Sequence, residues 1–229
     1  MGKGKLIVLE SCDGAGKSTQ IKQITKYFEE KNLKYDFLHF PKYGHNEFSE
    51  VIAKFLQGEF GGVDDVDPYF VANIYAMDRF LFLPELKKML EENDVVLLDR
   101  YVFSGMAFQA AKYINKDKQE EIIDWIDKFE FDFLDLPYPD LTIFLNVPME
   151  VIKQRLINNR EGADREYLEG KEDIHEADLE FQARVNQVYF DLEVDSRNYH
   201  IVHCAEDNGR VFPPKELFET YKNLLEEIL

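Results

Sequence analysis

Short runs of apolar residues alternate along the chain with longer segments in which apolar residues recur at helical spacing. A short, continuous apolar run is typical of a strand buried on both faces, whereas the helical spacing indicates an amphipathic helix. Ile21, Ile24 and Phe28 follow the helical spacing until Lys31-Asn32 ends the pattern. We predict strands at Lys5–Glu10, Tyr35–His39, Val95–Leu98, Leu141–Leu145 and His200–His203, and a long helical stretch from about Pro68 to Leu90.

Helical patterns separate these five predicted strands, which is the arrangement of an α/β fold with a parallel sheet and helices on both of its faces. No repeat, low-complexity segment or linker divides the chain, so we expect residues 1–229 to form a single domain. Ligands of such sheets bind outside the carboxyl ends of the strands. The stretch 158–173 is rich in Arg, Glu, Asp and Gly, and we predict that it forms a mobile lid.

The composition narrows the classes of partner. The formal net charge is −18 and the pI is near 4.7, so nucleic acids and anionic membrane surfaces would repel the chain at long range. We therefore expect no nucleic acid and no membrane as partner, although one basic pocket for a small anion remains compatible with this charge. Two cysteines, with no signal peptide or long apolar run, favour a reduced, cytoplasmic location.

The strongest local motif is Ser11-Cys12-Asp13-Gly14-Ala15-Gly16-Lys17-Ser18-Thr19, which follows the first strand and opens the first helix. This is the context of a phosphate-binding loop. Backbone N–H groups from Asp13 to Thr19 (Asp13, Gly14, Ala15, Gly16, Lys17, Ser18, Thr19) would cradle the phosphates of ATP, Lys17 would reach the β and γ oxygens, and Ser18 would bind Mg²⁺. Ser11 stands where the strict pattern has glycine, and a left-handed backbone would be unfavourable there. The alternative is a glycine-containing turn with a helix cap.

Three further motifs accompany this loop. Phe40-Pro41-Lys42-Tyr43 follows the second strand, Tyr75 and Arg79 share one face of the next long helix, and Asp99-Arg100-Tyr101 with Ser104 and Phe108 ends the third strand. Together with the phosphate loop, these motifs resemble the thymidylate kinase family over nearly the whole chain. Arg offers a planar fork of donors suited to a phosphate, and Asp99 would hold the water shell of Mg²⁺.

The resemblance implies a role for each residue on the acceptor side. Asp13 would face the sugar of dTMP, Tyr75 would stack on thymine, and Arg79 and Arg100 would hold the acceptor nucleotide. Phe40, Pro41, Tyr43, Ser104, Gly105, Phe108 and His175 complete the predicted dTMP site. Whether Lys42 or Tyr43 reaches the acceptor phosphate stays open, and Ser104 or Gln109 could supply a base contact that Gly105 lacks. His175 is either a wall of the thymine pocket or a helix-surface residue.

The resemblance also implies that the lid supplies a catalytic cation. The candidates are Arg155, Arg160 and Arg165, of which we favour Arg160 and Arg165 because they lie in the polar loop; solvated surface charge is the alternative. Catalytic roles are thus expected for Lys17, Arg100, Arg160 and Arg165, and metal contacts for Ser18 and Asp99. The family further implies a homodimer packed through helices.

The predicted reaction is transfer of the γ-phosphoryl group of ATP to dTMP, with Mg²⁺ as cofactor. One rival is a deoxynucleoside kinase, which must deprotonate a sugar hydroxyl and for which Glu10 or Asp13 could nominally be the base. The other is a nucleotide-binding switch that does not turn over a monophosphate. No guanine-specific Asn-Lys-x-Asp sequence is present, which weakens the switch hypothesis.

Overall fold

The computed structural model describes residues 4–158, 167–171, 173–192 and 198–229 of the chain. The strands are β1 (Lys5–Glu10), β2 (Tyr35–His39), β3 (Val95–Asp99), β4 (Leu141–Asn146) and β5 (Tyr199–His203). They form one all-parallel sheet in the order β2-β3-β1-β4-β5. The predicted five-stranded parallel sheet is confirmed, and each strand end lies within one residue of its predicted position.

Helices cover both faces of this sheet. They are α1 (Lys17–Glu30), α2 (Glu47–Leu56), α3 (Pro68–Leu81), α4 (Leu83–Glu92), α5 (Val102–Ala110), α6 (Lys116–Asp127), α7 (Met149–Asn158), α8 (Ile174–Ala177), α9 (Leu179–Asp191) and α10 (Pro214–Ile228). Helix α6 continues directly into a π-helical segment, Lys128–Phe133. Helix α1 packs with α10, and α5 packs with α3, α6 and α9. None of the helices in the described ranges is long and apolar enough to cross a membrane.

The apolar runs of β1 and β3 form the centre of the core. Leu6–Leu9 and Val95–Leu98 are at most 1% exposed, as expected for strands that are covered on both faces. In the register of the sheet, Asp99 lies opposite Leu9 of β1 and opposite His39 of β2. The carboxyl ends of the three strands are therefore level, and the polar residues that follow them meet at one edge.

The single helical stretch predicted from Pro68 to Leu90 is wrong in one respect, since the structure divides it at Phe82 into α3 and α4. Pro84 lies in the first turn of α4. Proline lacks a backbone N–H, and in a continuous helix its ring would clash with the carbonyl four residues earlier, at Phe80. The apolar periodicity continues across the break, which is why the pattern alone did not reveal it.

Candidate active site

A cavity of about 690 Å³ opens at the carboxyl edge of the sheet. Its wall contains every predicted site residue that lies in the described ranges. These are Asp13, Gly14, Ala15, Gly16, Lys17, Ser18, Thr19, Phe40, Pro41, Tyr43, Tyr75, Arg79, Asp99, Arg100, Ser104, Gly105, Phe108 and His175. The structure thus brings the phosphate loop and the residues of the predicted acceptor site to one cavity.

The phosphate loop has its left-handed backbone at two glycines, Gly14 with φ 72° and Gly16 with φ 92°. A Cβ atom on Gly14 would approach the side chain of Leu156 to 3.1 Å, so the loop needs glycine there for space as well as for conformation. Ser11 lies outside the left-handed region, and the conformational cost that its replacement of glycine suggested does not arise. Its buried hydroxyl accepts a hydrogen bond from Lys17 Nζ at 3.1 Å.

Asp99, at the end of β3, lies between two cationic or potentially cationic groups. Lys17 Nζ is 3.5 Å from its Oδ1 atom, and His39 Nδ1 is 3.3 Å from its Oδ2 atom. Burial would raise the pKa of Asp99, but Lys17 and His39 more than offset this and hold the pKa well below its usual range. The buried Oδ1 atom accepts no hydrogen bond from any described residue. Asp99 therefore offers an ionised oxygen beside the phosphate loop.

Arg100 has a left-handed backbone, with φ 68°, immediately before α5. Such a conformation costs about 1–3 kcal/mol in a residue other than glycine and persists only where the surroundings enforce it. Its guanidinium donates to Asp13 Oδ1 at 2.5 Å, to the Ser11 carbonyl at 2.8 Å and to Ser104 Oγ at 3.2 Å. The group also lies over the ring of Phe108, 5.2 Å from its centroid. Arg100 is thus fixed above the phosphate loop.

His175 is buried, so the alternative of a helix-surface histidine is wrong. Asp173 caps the short helix α8 by accepting from the His175 backbone N–H at 2.7 Å. The imidazole ring packs against Phe55, Phe108 and Phe181, with ring centroids 5.0–5.5 Å apart. Burial lowers the pKa of His175 to about 3, and the Nε2 atom has no hydrogen-bond partner among the described residues. The cavity is therefore lined by a neutral imidazole.

Of the two residues that could reach an acceptor phosphate, Tyr43 lines the cavity. It follows the cis Phe40-Pro41 peptide and stacks on Tyr167, with ring centroids 4.2 Å apart. Lys42 is directed elsewhere, since its Nζ atom lies over the ring of Phe82, 5.6 Å from the centroid.

The predicted lid is described only in part. Its end, Tyr167 to Lys171, is tied to the turn that follows α2, because Gln57 Nε2 donates to the Tyr167 carbonyl at 2.6 Å and Lys171 Nζ to Glu59 at 2.8 Å. Arg160 and Arg165 lie outside the described residues. Arg155, the third candidate, donates to the Ala15 carbonyl at 2.9 Å and to the Gly14 carbonyl at 3.3 Å. It therefore contacts the backbone of the phosphate loop.

Known proteins of one family are similar to this chain over most of its length. The family model of thymidylate kinase matches residues 9–211. The chain belongs to the thymidylate kinase family. Thymidylate kinase of Mycobacterium tuberculosis is 32% identical over 208 residues, which cover 90% of this chain and 94% of that protein. Human thymidylate kinase is 31% identical over 147 residues, which cover 64% and 63% of the two chains.

The fold is similar to that of a solved thymidylate kinase from Candida albicans. The TM-score is 0.72 at 22% sequence identity, and the match covers 98% of this chain and 92% of that chain. The predicted family and fold are confirmed. The function that goes with the family is the phosphorylation of dTMP to dTDP with ATP as donor, and the chain is a phosphotransferase.

The structure gives the carboxylate of Glu10 a role that the sequence did not indicate. We considered it as a nominal base for the nucleoside kinase rival, but it is fully buried and does not belong to the described wall of the cavity. It accepts hydrogen bonds from the backbone N–H groups of Tyr101 at 2.9 Å and Ser104 at 3.2 Å, and from the hydroxyls of Ser104 at 2.5 Å and Tyr189 at 2.9 Å. Glu10 therefore anchors the start of α5 to β1.

A second carboxylate, Glu130, was missed altogether. Arg79 Nε donates to Glu130 Oε2 and Arg79 Nη2 to Glu130 Oε1, each at 2.6 Å, and both side chains are buried. Burial would lower the pKa of Arg79, and the ion pair with Glu130 more than offsets this. Glu130 lies between Phe129 and Phe131, 51 residues after Arg79, and no local pattern links it to Arg79.

Proposed function

We propose that this chain transfers the γ-phosphoryl group of ATP to dTMP in the cavity at the carboxyl edge of the sheet, and that it does so with Mg²⁺. The observation that carries the proposal is that one cavity joins the phosphate loop to a second, aromatic half in which Arg100 supplies a guanidinium. Two anionic nucleotides could meet there with positive groups between them.

The donor half is the phosphate loop. Backbone N–H groups from Asp13 to Thr19, at the start of α1, would bind the phosphates of ATP, with Lys17 on the β and γ oxygens. Ser18 and Asp99 would hold Mg²⁺, directly or through its waters, and the ionised Asp99 Oδ1 atom fits such a ligand. When bound, Mg²⁺ would neutralise the charge that develops on the phosphates.

The acceptor half is the aromatic end of the cavity. Tyr75, Phe108 and His175 would enclose the thymine ring, with Arg79 at its polar edge. Gln109 also lines the cavity, and its buried Oε1 atom has no partner among the described residues. A base that carries both a carbonyl and an N–H on one edge would satisfy an Arg donor and this acceptor together.

The remaining acceptor contacts concern the sugar and the phosphate. Asp13 would face the sugar, while Phe40, Pro41, Tyr43, Arg100, Ser104 and Gly105 would surround the sugar and the phosphate. Tyr43 is the preferred phosphate contact because it lines the cavity and Lys42 does not belong to the described wall. Arg100 already donates to four groups around it, so its fork is oriented before any ligand binds.

Catalysis in this arrangement rests on positioning and charge neutralisation. The acceptor phosphate is ionised at neutral pH, so no strong general base is required. Lys17 and Arg100 would offset the repulsion between two phosphate groups, with Arg160 and Arg165 as the proposed cations of the lid. Arg155 would act differently, by holding the backbone of the phosphate loop through the Gly14 and Ala15 carbonyls.

We further propose that residues 1–229 act as one domain in the cytoplasm, as a homodimer, without nucleic acid or membrane as partner. Both cysteines are free and buried, which suits a reducing compartment. The homodimer has support in an aromatic strip formed by Trp125, Phe129 and Phe133, of which Phe133 is 77% exposed and the other two rings are half-buried. Aromatic surface of this kind is typical of an interface.

A coupled ADP-release assay tests the function. ATP and Mg²⁺ would be combined in turn with dTMP, dUMP, dGMP, dCMP, UMP and thymidine. The proposal expects by far the highest kcat/KM with dTMP and no turnover when Mg²⁺ is chelated. Use of thymidine without dTMP would make the chain a nucleoside kinase, and absence of turnover with every acceptor would favour the switch hypothesis.

A further inference from the structure

The ion pair with Glu130 restricts the orientation of the Arg79 side chain. Two of the three guanidinium nitrogens, Nε and Nη2, are used on the two oxygens of Glu130, at 2.6 Å each. The third, Nη1, has only a long contact of 3.5 Å, to the Tyr101 carbonyl, among the described residues. A planar guanidinium held along one edge in this way can turn only its remaining N–H groups toward a ligand.

Glu130 comes from an element whose neighbouring rings, Phe129 and Phe131, pack against the core. It lies in the π-helical segment Lys128–Phe133, and such segments are rare and often occur at functional sites. The neighbouring Phe131 packs against Tyr101, Phe103 and Tyr138, with ring centroids 4.1–6.5 Å apart. The carboxylate is 1% exposed, and Glu130 does not belong to the described wall of the cavity. It therefore acts on any ligand through Arg79.

Gly105 of α5 leaves the space that this pair occupies. A Cβ atom there would approach Arg79 Nη2 to 3.3 Å and Glu130 Oε1 to 3.7 Å. Because the first distance is already tight for a single carbon, any larger side chain at position 105 would push the guanidinium away from α5. The position of Arg79 is thus defined from two sides, by the π-helical segment and by the bare backbone of α5.

We propose that Glu130 is a positioning residue for base selection, which fixes Arg79 so that its free N–H groups meet a carbonyl oxygen on the pyrimidine of the acceptor. The inference rests on the proposed function, in which Arg79 lies at the polar edge of the thymine. Arginine has donors only, so a fixed Arg79 favours a base with a carbonyl at that edge and disfavours a base with an amino group there. dTMP and dCMP differ in this way at position 4 of the ring.

Four variants test the proposal: Glu130→Gln, Glu130→Asp, Arg79→Gln and the double variant Arg79→Gln/Glu130→Gln. With Glu130→Gln we expect KM for dTMP to rise about 10- to 100-fold, the range that corresponds to one charge-assisted hydrogen bond. The KM for ATP should change by less than about twofold. The ratio of kcat/KM for dTMP to kcat/KM for dCMP should fall by about the same factor as KM for dTMP rises. Glu130→Asp keeps the charge and should give an intermediate KM.

The double variant should be no worse than the more severe single variant, because Glu130 acts through Arg79. Asp140→Asn provides a matched control, since Asp140 pairs with Lys5 and the Leu6 backbone N–H at the other end of the strands. That variant should lower Tm without changing KM for dTMP.

Three outcomes would overturn the proposal. A Glu130→Gln enzyme with lowered Tm and wild-type KM and selectivity for dTMP would make Glu130 purely structural. Losses that multiply in the double variant would show that Glu130 does not act through Arg79. If Arg79→Gln itself left KM for dTMP unchanged, the assignment of Arg79 to the base would fail together with this proposal. If KM for dTMP were normal in Glu130→Gln but raised in Arg79→Gln, the role of Glu130 would be refuted while the assignment of Arg79 to the base would stand.

Discussion

Arg100 combines an unfavourable backbone conformation with a guanidinium that is anchored on several sides. The left-handed φ of 68° directs the side chain back over the phosphate loop, where Asp13 and the Ser11 carbonyl accept its hydrogen bonds. Backbone strain of this kind is common at functional sites, where the surrounding structure holds a side chain in one orientation at a cost in stability. Local conformation and long-range contacts thus fix the same group.

We predict that Arg100→Ala lowers kcat with dTMP about 100- to 1,000-fold, since loss of one preorganised donor costs about 2.7–4 kcal/mol in the transition state. ATP binding should remain largely intact because Lys17 and the backbone N–H groups that would bind the phosphates are retained. Steady-state kinetics and titration with a non-hydrolysable ATP analogue measure the two quantities. Arg100→Lys, which keeps the charge but not the planar fork, should fall between Ala and wild type. Wild-type turnover by the Ala variant would contradict the assignment.

Burial of His175 is expected to make the free energy of unfolding depend on pH. Burial lowers its pKa from 6.5 to about 3, with Asp13 acting in the opposite direction and Lys112 and Arg100 adding to the decrease. Between these two values the unfolded chain binds a proton that the folded chain does not. The free energy of unfolding therefore falls as the pH falls from above 6.5 toward 3.

For this one group the loss between pH 8 and pH 5.5 is about 1.4 kcal/mol. Urea unfolding at both pH values, for the wild type and for His175→Gln, measures it. We expect the wild type to lose about 1.4 kcal/mol more than the variant, because all other titrating groups cancel in the difference. Equal losses in both proteins would mean that the pKa of His175 is the same in the folded and the unfolded chain.

At the scale of the element, helix α5 depends on the last residue of β1. Glu10 accepts from the backbone N–H groups of Tyr101 and Ser104 and so satisfies donors at the start of α5, next to Arg100. No side chain of α5 itself caps this helix. The sheet therefore supplies the cap, and the position of Arg100 depends on it.

We predict that Glu10→Gln lowers the free energy of unfolding by about 1–3 kcal/mol, because the amide N–H₂ replaces an acceptor and leaves buried donors unpaired. It should also lower kcat with dTMP by displacing Arg100. Thermal unfolding and steady-state kinetics provide the two measurements. Asp67→Asn is the matched control, since Asp67 caps α3 in an exposed position and Asn is an equally good cap. If the two variants lost stability equally, Glu10 would not be the anchor of α5.

Elements formed by contiguous residues could be predicted from the sequence, whereas contacts between distant residues could not. The strands were predictable because short apolar runs such as Leu6–Leu9 are buried on both faces, and the phosphate loop because its residues are contiguous. The partner of Arg79 lies 51 residues away and that of Tyr101 lies 91 residues away, and single-sequence periodicity carries no information on such pairs. The break at Phe82 was hidden because Pro84 is compatible with the first turn of a new helix.

At the scale of the whole molecule, the aromatic strip of Trp125, Phe129 and Phe133 is the surface that we expect to contact a second copy of the chain. Trp125, Phe129 and Phe133 stack in succession with ring centroids 4.9 Å and 5.7 Å apart, and Tyr69 of α3 meets Trp125 at 5.1 Å. Phe133 is 77% exposed. This aromatic strip extends over α3, α6 and the π-helical segment that carries Glu130. A second copy of the chain on the strip would bury the segment that orients Arg79.

We therefore predict a homodimer that Phe133→Ser weakens, because burial of one aromatic ring contributes about 1.5–3 kcal/mol or more per subunit. Sedimentation velocity at micromolar concentration should show a dimer for the wild type and a shift toward monomer for the variant. Phe190→Ser is the control, since Phe190 is also exposed but lies on α9 beside His203, at the β5 edge of the sheet. A monomeric wild type would refute the homodimer. Equal weakening by both variants, or by neither, would place the interface outside the aromatic strip.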